Sequence, residues 1–343
     1  GVEADELVEA DTTITTRFQL VNSSESPVGN GWYIKGIPDL YPHPDGSVMV
    51  VMDGESGGVY LPDIMADIVA GGGGGTECGD GSPATNDCLD YPDDLAVAPD
   101  GSLITTDSWT NSLIRIDTDG LIQTIYSGAG DGVDFKAVAV SPDGIVHFSD
   151  SNSGKVFKLV DGQAEFVIGG DLPDIFNQAP AVSNPTDLDF DAEGNLYIAD
   201  WPLGLRVLLA DGTLMNAYAG DNPDIPAPSA IDVTADGSIL LVEPARQRVR
   251  RLTADGQILP VAGLDGDSGF DGDGWLAAKA RLFMPSGVAQ GPDGTVYIAD
   301  EYNNRIRSVG PDGMIRTFAG KGAVAGSSTG DHGPATEISL KEP

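Results

Sequence analysis

Short stretches of alternating apolar and polar residues, separated by Asp-Gly or Glu-Gly pairs, recur along the chain. The clearest example runs from Pro285 to Gly320 and contains four such stretches, at 287–290, 295–299, 305–309 and 314–319. Asp293-Gly294 separates the first two stretches and Asp312-Gly313 the last two, which is the composition of hairpin turns. This segment therefore predicts four consecutive antiparallel strands.

The same unit recurs six times. The first turns contain glycine preceded by an acid, at spacings of 43 to 57 residues: Asp45, Asp100, Asp143, Glu193, Asp236 and Asp293. Four-stranded units repeated about every 45 residues are typical of β-propeller blades. We therefore expect an all-β, six-bladed propeller of four-stranded antiparallel blades, at 38–70, 92–128, 134–169, 185–220, 228–263 and 285–320. A seventh, composite blade is the alternative.

The ends of the chain differ from the repeats. The pattern is weakest in the first unit, where Pro62-Asp63-Ile64 occupies the position of the third turn. We assign 37–323 to the propeller, 1–36 to an N-terminal extension and 324–343 to a tail that resembles a blade linker. Thr12–Val21 has the composition of a strand, and this makes it a candidate for closing the ring or for packing on a neighbouring domain.

Several motifs resemble those of the NHL-repeat family of β-propellers. They are the run Tyr297-Ile-Ala-Asp-Glu-Tyr-Asn-Asn-Arg-Ile-Arg307, the shorter Tyr197-Ile-Ala-Asp200, and the linkers Gly79–Thr85 and Gly330–Thr336. The resemblance covers about residues 37–335. It implies the fold more specifically than the function, because the family includes enzymes, protein-binding modules and ectodomain segments.

Charge narrows the range of partners. The chain has 53 Asp and Glu residues against 18 Lys and Arg, a net charge of −35, so nucleic acids and anionic membranes would be repelled. No apolar run approaches the roughly 18 residues that a membrane-spanning helix needs. We expect neither a nucleic-acid partner nor a membrane span.

Two groups of aspartates are candidate metal ligands. The linker aspartates Asp265, Asp267, Asp271 and Asp273 alternate with glycines, and such an oxygen-rich loop suits Ca²⁺. An ordinary Gly- and Asp-rich linker is the alternative. The second group, Asp39, Asp94 and Asp187, is expected at the tunnel mouth, where neighbouring acids repel each other unless a cation or a raised pKa relieves them. Here the alternative is that each acid caps its own linker.

Aromatic residues and cysteines indicate an exposed binding face and an oxidising compartment. We place Trp109, Trp201, Trp275 and Tyr302 on loops of the ligand face, where they suit carbohydrate or protein contacts. Cys78 and Cys88, within one linker, are predicted to form a disulfide, which implies a secreted or cell-surface protein. A pair of free thiols is the alternative.

Taken together, these features favour an extracellular binding or scaffold propeller over an enzyme. Its partner would be a protein, a carbohydrate or a neighbouring domain of a larger assembly. The alternative comes from the resemblance, which includes Ca²⁺-dependent propeller hydrolases and lactonases with a metal in the tunnel. Calcium is the candidate cofactor. The absence of a phosphate-binding Gly-rich loop between a strand and a helix argues against a nucleotide, and we expect neither haem nor flavin.

Overall fold

A computed structural model describes residues 19–21, 40–42, 48–51, 67–70, 80–84, 89, 92–108, 110–128, 133–170, 182–217, 228–322 and 336. Within these ranges the chain forms strands and short 3₁₀ turns, the latter at Pro244–Arg246, Ala277–Lys279 and Glu301–Asn303. No helix in these ranges has the length and apolar character needed to span a bilayer.

The N-terminal strands form a mixed sheet. These strands are β1 (Gln19–Val21), β2 (Leu40–Pro42), β3 (Val48–Val51) and β4 (Asp67–Ala70), arranged in the order β2-β3-β1-β4. β2 pairs antiparallel with β3, whereas β1 pairs parallel with both β3 and β4. This sheet is therefore not an antiparallel meander.

The remaining strands form five regular blades. The first blade contains β5 (Pro92–Val97), β6 (Leu103–Asp107), β7 (Ser112–Ile116) and β8 (Ile122–Ser127). The second contains β9 (Phe135–Val140), β10 (Val146–Asp150), β11 (Lys155–Val160) and β12 (Gln163–Gly169). The third contains β13 (Pro185–Phe190), β14 (Leu196–Asp200), β15 (Gly204–Leu208) and β16 (Leu214–Asn216).

The fourth blade contains β17 (Ala230–Val233), β18 (Ile239–Glu243), β19 (Arg248–Leu252) and β20 (Ile258–Ala262). The fifth contains β21 (Pro285–Gln290), β22 (Val296–Asp300), β23 (Arg305–Val309) and β24 (Ile315–Ala319). In every blade the strands pair antiparallel in chain order, as the Asp-Gly turns predict.

The prediction of six four-stranded antiparallel blades is wrong, and so is the seven-bladed alternative: the described chain forms five. The first sequence unit accounts for the difference. It has no Asp-Gly pair at its third turn, and β1, from further upstream in the chain, takes the position between β3 and β4 that a third blade strand would occupy.

The first strands of the sheets surround a central tunnel. β2, β5, β9, β13, β17 and β21 pack side by side in chain order, and β21 also packs against β2. Apolar side chains fill the space between blades. Between the fourth and fifth blades, for example, Leu240, Val288 and Ile298 are completely buried. Burial between neighbouring sheets is what stabilises this architecture.

Linkers cover the outer edges of two blades. Residues 80–84 run antiparallel to the start of β8: Gly81 N–H donates to Ile122 O at 2.8 Å, and Ile122 N–H donates to Ser82 O at 2.9 Å. Gly274 and Trp275 make the same two contacts with Ile315 of β24, at 2.8 and 3.0 Å. We call these two linker segments caps, and each makes a further contact through an aspartate. Asp80 accepts the Thr124 N–H at 2.7 Å, and Asp273 accepts the Thr317 hydroxyl at 2.7 Å. Both linkers therefore protect an exposed strand edge.

Gly263, at the end of β20, offers a test of close backbone packing. Its φ is +92°, and a Cβ there would lie 2.2 Å from Gln247 O. Gly256 has a similar φ of +83° but open space around it. Both substitutions to alanine strain the backbone by about 1 kcal/mol, and only Gly263→Ala adds a backbone clash. We expect Gly263→Ala to lower the free energy of unfolding by about 2 kcal/mol more than Gly256→Ala in urea titrations. Equal losses would contradict this packing.

Candidate functional site

Four carboxylates line the tunnel from the first strands of three blades. Asp94, Asp187 and Asp189 each accept a backbone N–H from the first strand of the next blade, namely Val138, Ile231 and Val233, all at 2.6 Å. Asp232 accepts the Gln290 N–H at 3.1 Å in the same way. These acids therefore join neighbouring blades around the tunnel.

Burial and mutual repulsion raise the pKa values of three of these carboxyls, Asp187, Asp189 and Asp232. Burial raises the pKa of Asp187 well above its usual value, and the nearby Asp94 carboxylate adds to the shift. Burial also raises the pKa of Asp189 to about 7, with Asp94 and Asp191 contributing. Burial raises the pKa of Asp232, and the nearby Asp189 carboxylate raises it further. Burial and the neighbouring carboxylates thus favour the protonated forms of Asp187, Asp189 and Asp232.

The structure brings together two of the three acids predicted for the tunnel mouth, Asp94 and Asp187, and the third, Asp39, lies outside the described residues. Asp189 and Asp232 were not predicted. Asp189 had a detectable signal, because it lies two residues after Asp187 and side chains at alternate strand positions share a face. Asp232 had the same signal, because it lies four residues before Asp236 as Asp189 lies four before Glu193.

A cavity of about 560 Å³ opens beside the turns that join first and second strands. Its wall includes the apolar Val97, Val140 and Phe190. Its acidic residues are Asp100, Asp189 and Asp191. Asp189 therefore connects the tunnel wall to solvent at this end of the molecule. Asp100 is already paired with Arg115, at 2.5 Å.

The acids at the ends of second strands organise the opposite end. Asp200 Oδ1 accepts the backbone N–H groups of Ser183 and Asn184, at 2.9 and 2.8 Å. Asp300 Oδ1 accepts the Phe283 N–H at 2.7 Å, and Asp150 Oδ1 accepts the Asp134 N–H at 2.9 Å. Each acid holds the linker that enters its blade. Burial raises the pKa of Asp300 to about 6, although its hydrogen bonds and Arg307 oppose this shift.

Arginines on third strands neutralise these acids in the last three blades. Arg206 lies 3.6 Å from Asp200. Glu243 accepts hydrogen bonds from Arg248 Nε and Arg250 Nε, at 2.6 and 2.7 Å. Arg307 and Asp300 are both completely buried and lie 3.2 Å apart. The loops between second and third strands therefore rest on buried ion pairs.

Arginines also occupy the acidic linker that was predicted as a calcium loop. Asp265 pairs with Arg246 and Arg248, at 3.1 and 2.9 Å. Asp267 and Asp271 lie 3.8 and 2.8 Å from Arg281 Nε, and Asp273 pairs with Arg307 at 2.7 Å. Phe270 stacks on the guanidinium of Arg305 at 3.7 Å.

No group of three or more acid, histidine or cysteine side chains capable of holding a metal occurs in the described ranges. The calcium hypothesis for either set of aspartates stays a prediction. Cys78 and Cys88 lie outside those ranges, and their disulfide also stays a prediction.

Three of the four aromatic residues predicted for the ligand face lie in the described part of the chain, and all three are exposed. Trp201 follows β14 and Tyr302 follows β22, so both lie on loops between second and third strands, where they are 46% and 49% exposed. Tyr302 packs edge-to-face on Phe283, with ring centroids 5.1 Å apart. Trp275 is 59% exposed but lies beside the start of β24, at the rim of the fifth blade. Trp109 lies outside the described residues.

Four-stranded antiparallel blades around a central tunnel define a β-propeller. A family model of the teneurin NHL domain matches residues 210–310. The chain is 28% identical to teneurin-m of Drosophila melanogaster over 294 residues, and 28% identical to teneurin-3 of Mus musculus over 276 residues. Each match covers 71% of this chain but only 10% and 9% of those proteins. These similarities support a place for the chain among the NHL-repeat β-propellers, and the chain spans about a tenth of the length of these relatives.

Solved structures share the fold. An auxiliary nutrient binding protein from Bacteroides thetaiotaomicron superposes with a TM-score of 0.62 at 16% identity, over 88% of this chain and 75% of that one. Virginiamycin B lyase from Staphylococcus aureus gives 0.51 at 14% identity, over 87% and 83%. One is named a binding protein and the other an enzyme, so these likenesses show the fold alone.

Proposed function

We propose that this chain is an extracellular binding or scaffold module of a larger cell-surface protein, and that its second-to-third-strand loops make the contact. The observation that carries the proposal is that Trp201 and Tyr302 are about half exposed. They lie on loops that directly follow the buried acids Asp200 and Asp300, which bind the incoming linkers. Aromatic side chains of this kind supply much of the binding energy at protein interfaces and suit carbohydrate surfaces.

The architecture below these loops favours recognition because it fixes their shape. Asp200 and Asp300 bind the incoming linkers and Arg307 pairs with Asp300, so little order has to be gained on binding. A preorganised surface loses less conformational entropy when a partner docks. The net charge of −35 favours partners with neutral or basic surfaces.

The larger protein is inferred from the relatives. The chain corresponds to about a tenth of each teneurin to which it is similar, and this supports neighbouring domains as further contacts. An extracellular location is supported by the predicted Cys78–Cys88 disulfide, because such bonds persist in oxidising compartments.

Binding is tested by displaying the tetramerised chain to arrays of extracellular protein domains and of glycans. We expect at least one reproducible ligand whose signal falls tenfold or more in the Trp201→Ser/Tyr302→Ser variant. Trp275→Ser is the matched control, since it removes an equally exposed aromatic at the rim and should leave the signal unchanged. A signal lost with Trp275→Ser and kept in the double variant would contradict the assignment of the face.

Calcium is the proposed stabilising ion, at the linker or in the tunnel. Calorimetry on chelator-treated protein tests both sites. A tight site abolished by Asp267→Asn/Asp271→Asn would place the ion at the linker, and one abolished by Asp94→Asn/Asp187→Asn would place it in the tunnel. Absence of any tight site would overturn this part of the proposal.

A Ca²⁺-dependent hydrolase or lactonase is the second candidate, and the electrostatic coupling of Asp94 and Asp187 in the tunnel favours it. This candidate predicts calcium-dependent hydrolysis of at least one compound in a panel of lactones and esters. The activity should be lost in Asp94→Asn/Asp187→Asn. The binding proposal predicts no such turnover.

A further inference from the structure

The second blade (blade 2, β9–β12) differs at its outer edge from the first (blade 1, β5–β8) and the fifth (blade 5, β21–β24). β12 is the last strand of its sheet, and no segment in the described part of the chain pairs with its outer side. In blades 1 and 5 the corresponding edges of β8 and β24 pair with the antiparallel linkers 80–84 and 274–277. The outer edge of β12 therefore presents backbone N–H and C=O groups that in two sister blades are bound by an extended segment.

Side-chain burial follows the same division. Ile122 of β8 and Ile315 of β24, beneath the two caps, are 5% and 0% exposed. Ala164 takes the equivalent position in β12, three residues after its Asp161, and is only half-buried. Phe166, the equivalent of Thr124 and Thr317, is 58% exposed and touches only Phe157 among aromatic rings of the described chain. An apolar surface thus lies next to the open backbone edge.

The linker that leads into blade 2 is too short to provide this cap. Only seven residues, 128–134, join β8 to β9, whereas 22 residues, 263–284, join β20 to β21. Seven extended residues span at most about 25 Å. Crossing the four strands of a blade takes about 14 Å, so about 11 Å remain. A five-residue segment like 80–84 needs roughly 17 Å along the outer edge.

We propose that the outer edge of β12 is a strand-addition site for an extended, aspartate-containing segment of a partner protein. The two caps define how such a segment enters: antiparallel to β12, exchanging backbone hydrogen bonds with Ala164 and placing a carboxylate at the Phe166 N–H, as Asp80 does at the Thr124 N–H. Phe166 packs against the apolar residues of the incoming strand. The site is separate from the loop face that carries Trp201 and Tyr302.

A labelled peptide with the sequence of residues 271–279 tests the site, because this sequence already caps a sister blade. We expect saturable binding in fluorescence polarisation and slower hydrogen exchange at residues 163–166 of the full chain. A peptide carrying Asp273→Asn should bind at least threefold more weakly, since it loses the carboxylate contact.

Two variants at one position separate edge pairing from general effects. Ala164→Pro removes the outward N–H, the equivalent of the Ile122 N–H that binds the linker, and should weaken peptide binding at least tenfold. Ala164→Ser keeps the N–H and should bind like the parent. If the proline variant does not fold, Phe166→Lys, which places a charge on the edge strand, takes its place with the same expectation. Protection at 313–317 in place of 163–166, or equal affinity of the proline and serine variants, would overturn the proposal.

Discussion

Replacing Arg307 with methionine is expected to lower the free energy of unfolding by about 3–5 kcal/mol, the largest loss that we predict for a single substitution. Arg307 and Asp300 are both completely buried, and Arg307 also reaches Asp273 at 2.7 Å and the Asp271 carbonyl at 3.2 Å. Without the guanidinium, the Asp300 carboxylate remains buried and loses its ion-pair partner. Methionine keeps much of the side-chain volume, so the loss reports mainly on charge and hydrogen bonding.

Urea titration at pH 7.5 measures this loss, and Arg316→Met is its matched control. Arg316 pairs with Asp312 at 2.7 Å, but both side chains are about half exposed, and solvent-exposed pairs of this kind contribute little to stability. If the two substitutions cost the same, the buried pair is not what holds the fifth blade to its linker.

The second large effect is a rise in thermal stability on mild acidification. The melting temperature should increase by about 5 °C from pH 8 to pH 5.5. The cause is a group of buried carboxyls whose pKa values are raised, chiefly by desolvation: Asp93, Asp187, Asp189, Asp232 and Asp300.

The direction follows from proton binding. In the unfolded chain these groups ionise near pH 4, whereas in the fold the pKa of Asp189 is about 7 and that of Asp300 about 6. Between these limits the folded state binds more protons, so stability is lost as pH rises and regained as it falls. Burial lowers the pKa of His147, which opposes the trend as a single group. Below about pH 4 stability should fall, since hydrogen bonds hold the pKa of Asp236 at about 2.

Two variants check the origin of the rise. Asp189→Asn should show a smaller increase between pH 8 and 5.5, whatever its absolute stability, because it has no proton to gain. Asp211→Asn should retain the full increase, since Asp211 is exposed and its pKa is lowered by hydrogen bonds to Thr213, so it stays ionised throughout this range. A melting temperature that is flat or falls on acidification would show that the tunnel acids are not protonated as described.

The repeats could be predicted from the sequence wherever an Asp-Gly or Glu-Gly pair marks a turn between strands. Asp100-Gly101 and Asp293-Gly294 each join the first two strands of a blade, and the predicted boundaries of the five regular blades agree closely with the structure. The first unit could not be read in this way. Its missing third turn removes the local signal, and the parallel pairing of β1 with β3 and β4 joins segments far apart in the chain.

The site was predicted less completely than the fold. Composition and spacing located Asp94 and Asp187, but which charges meet depends on tertiary packing. The acids Asp265–Asp273 resemble a cation loop in sequence, and only the fold shows that Arg246, Arg248, Arg281 and Arg307 reach them. The difference between Trp201 and Trp275 likewise depends on the path of the linker along β24.

The central claim is that the buried acids build the propeller and that the exposed loop side chains recognise the partner. The most direct measurement is the affinity of Asp187→Asn, beside Trp201→Ser/Tyr302→Ser, for the ligands found on the arrays, at a temperature where both variants are folded. We predict that Asp187→Asn binds within about twofold of the parent while the loop variant loses binding. A folded Asp187→Asn that no longer binds, beside a loop variant that still does, would contradict the claim and direct attention to the tunnel.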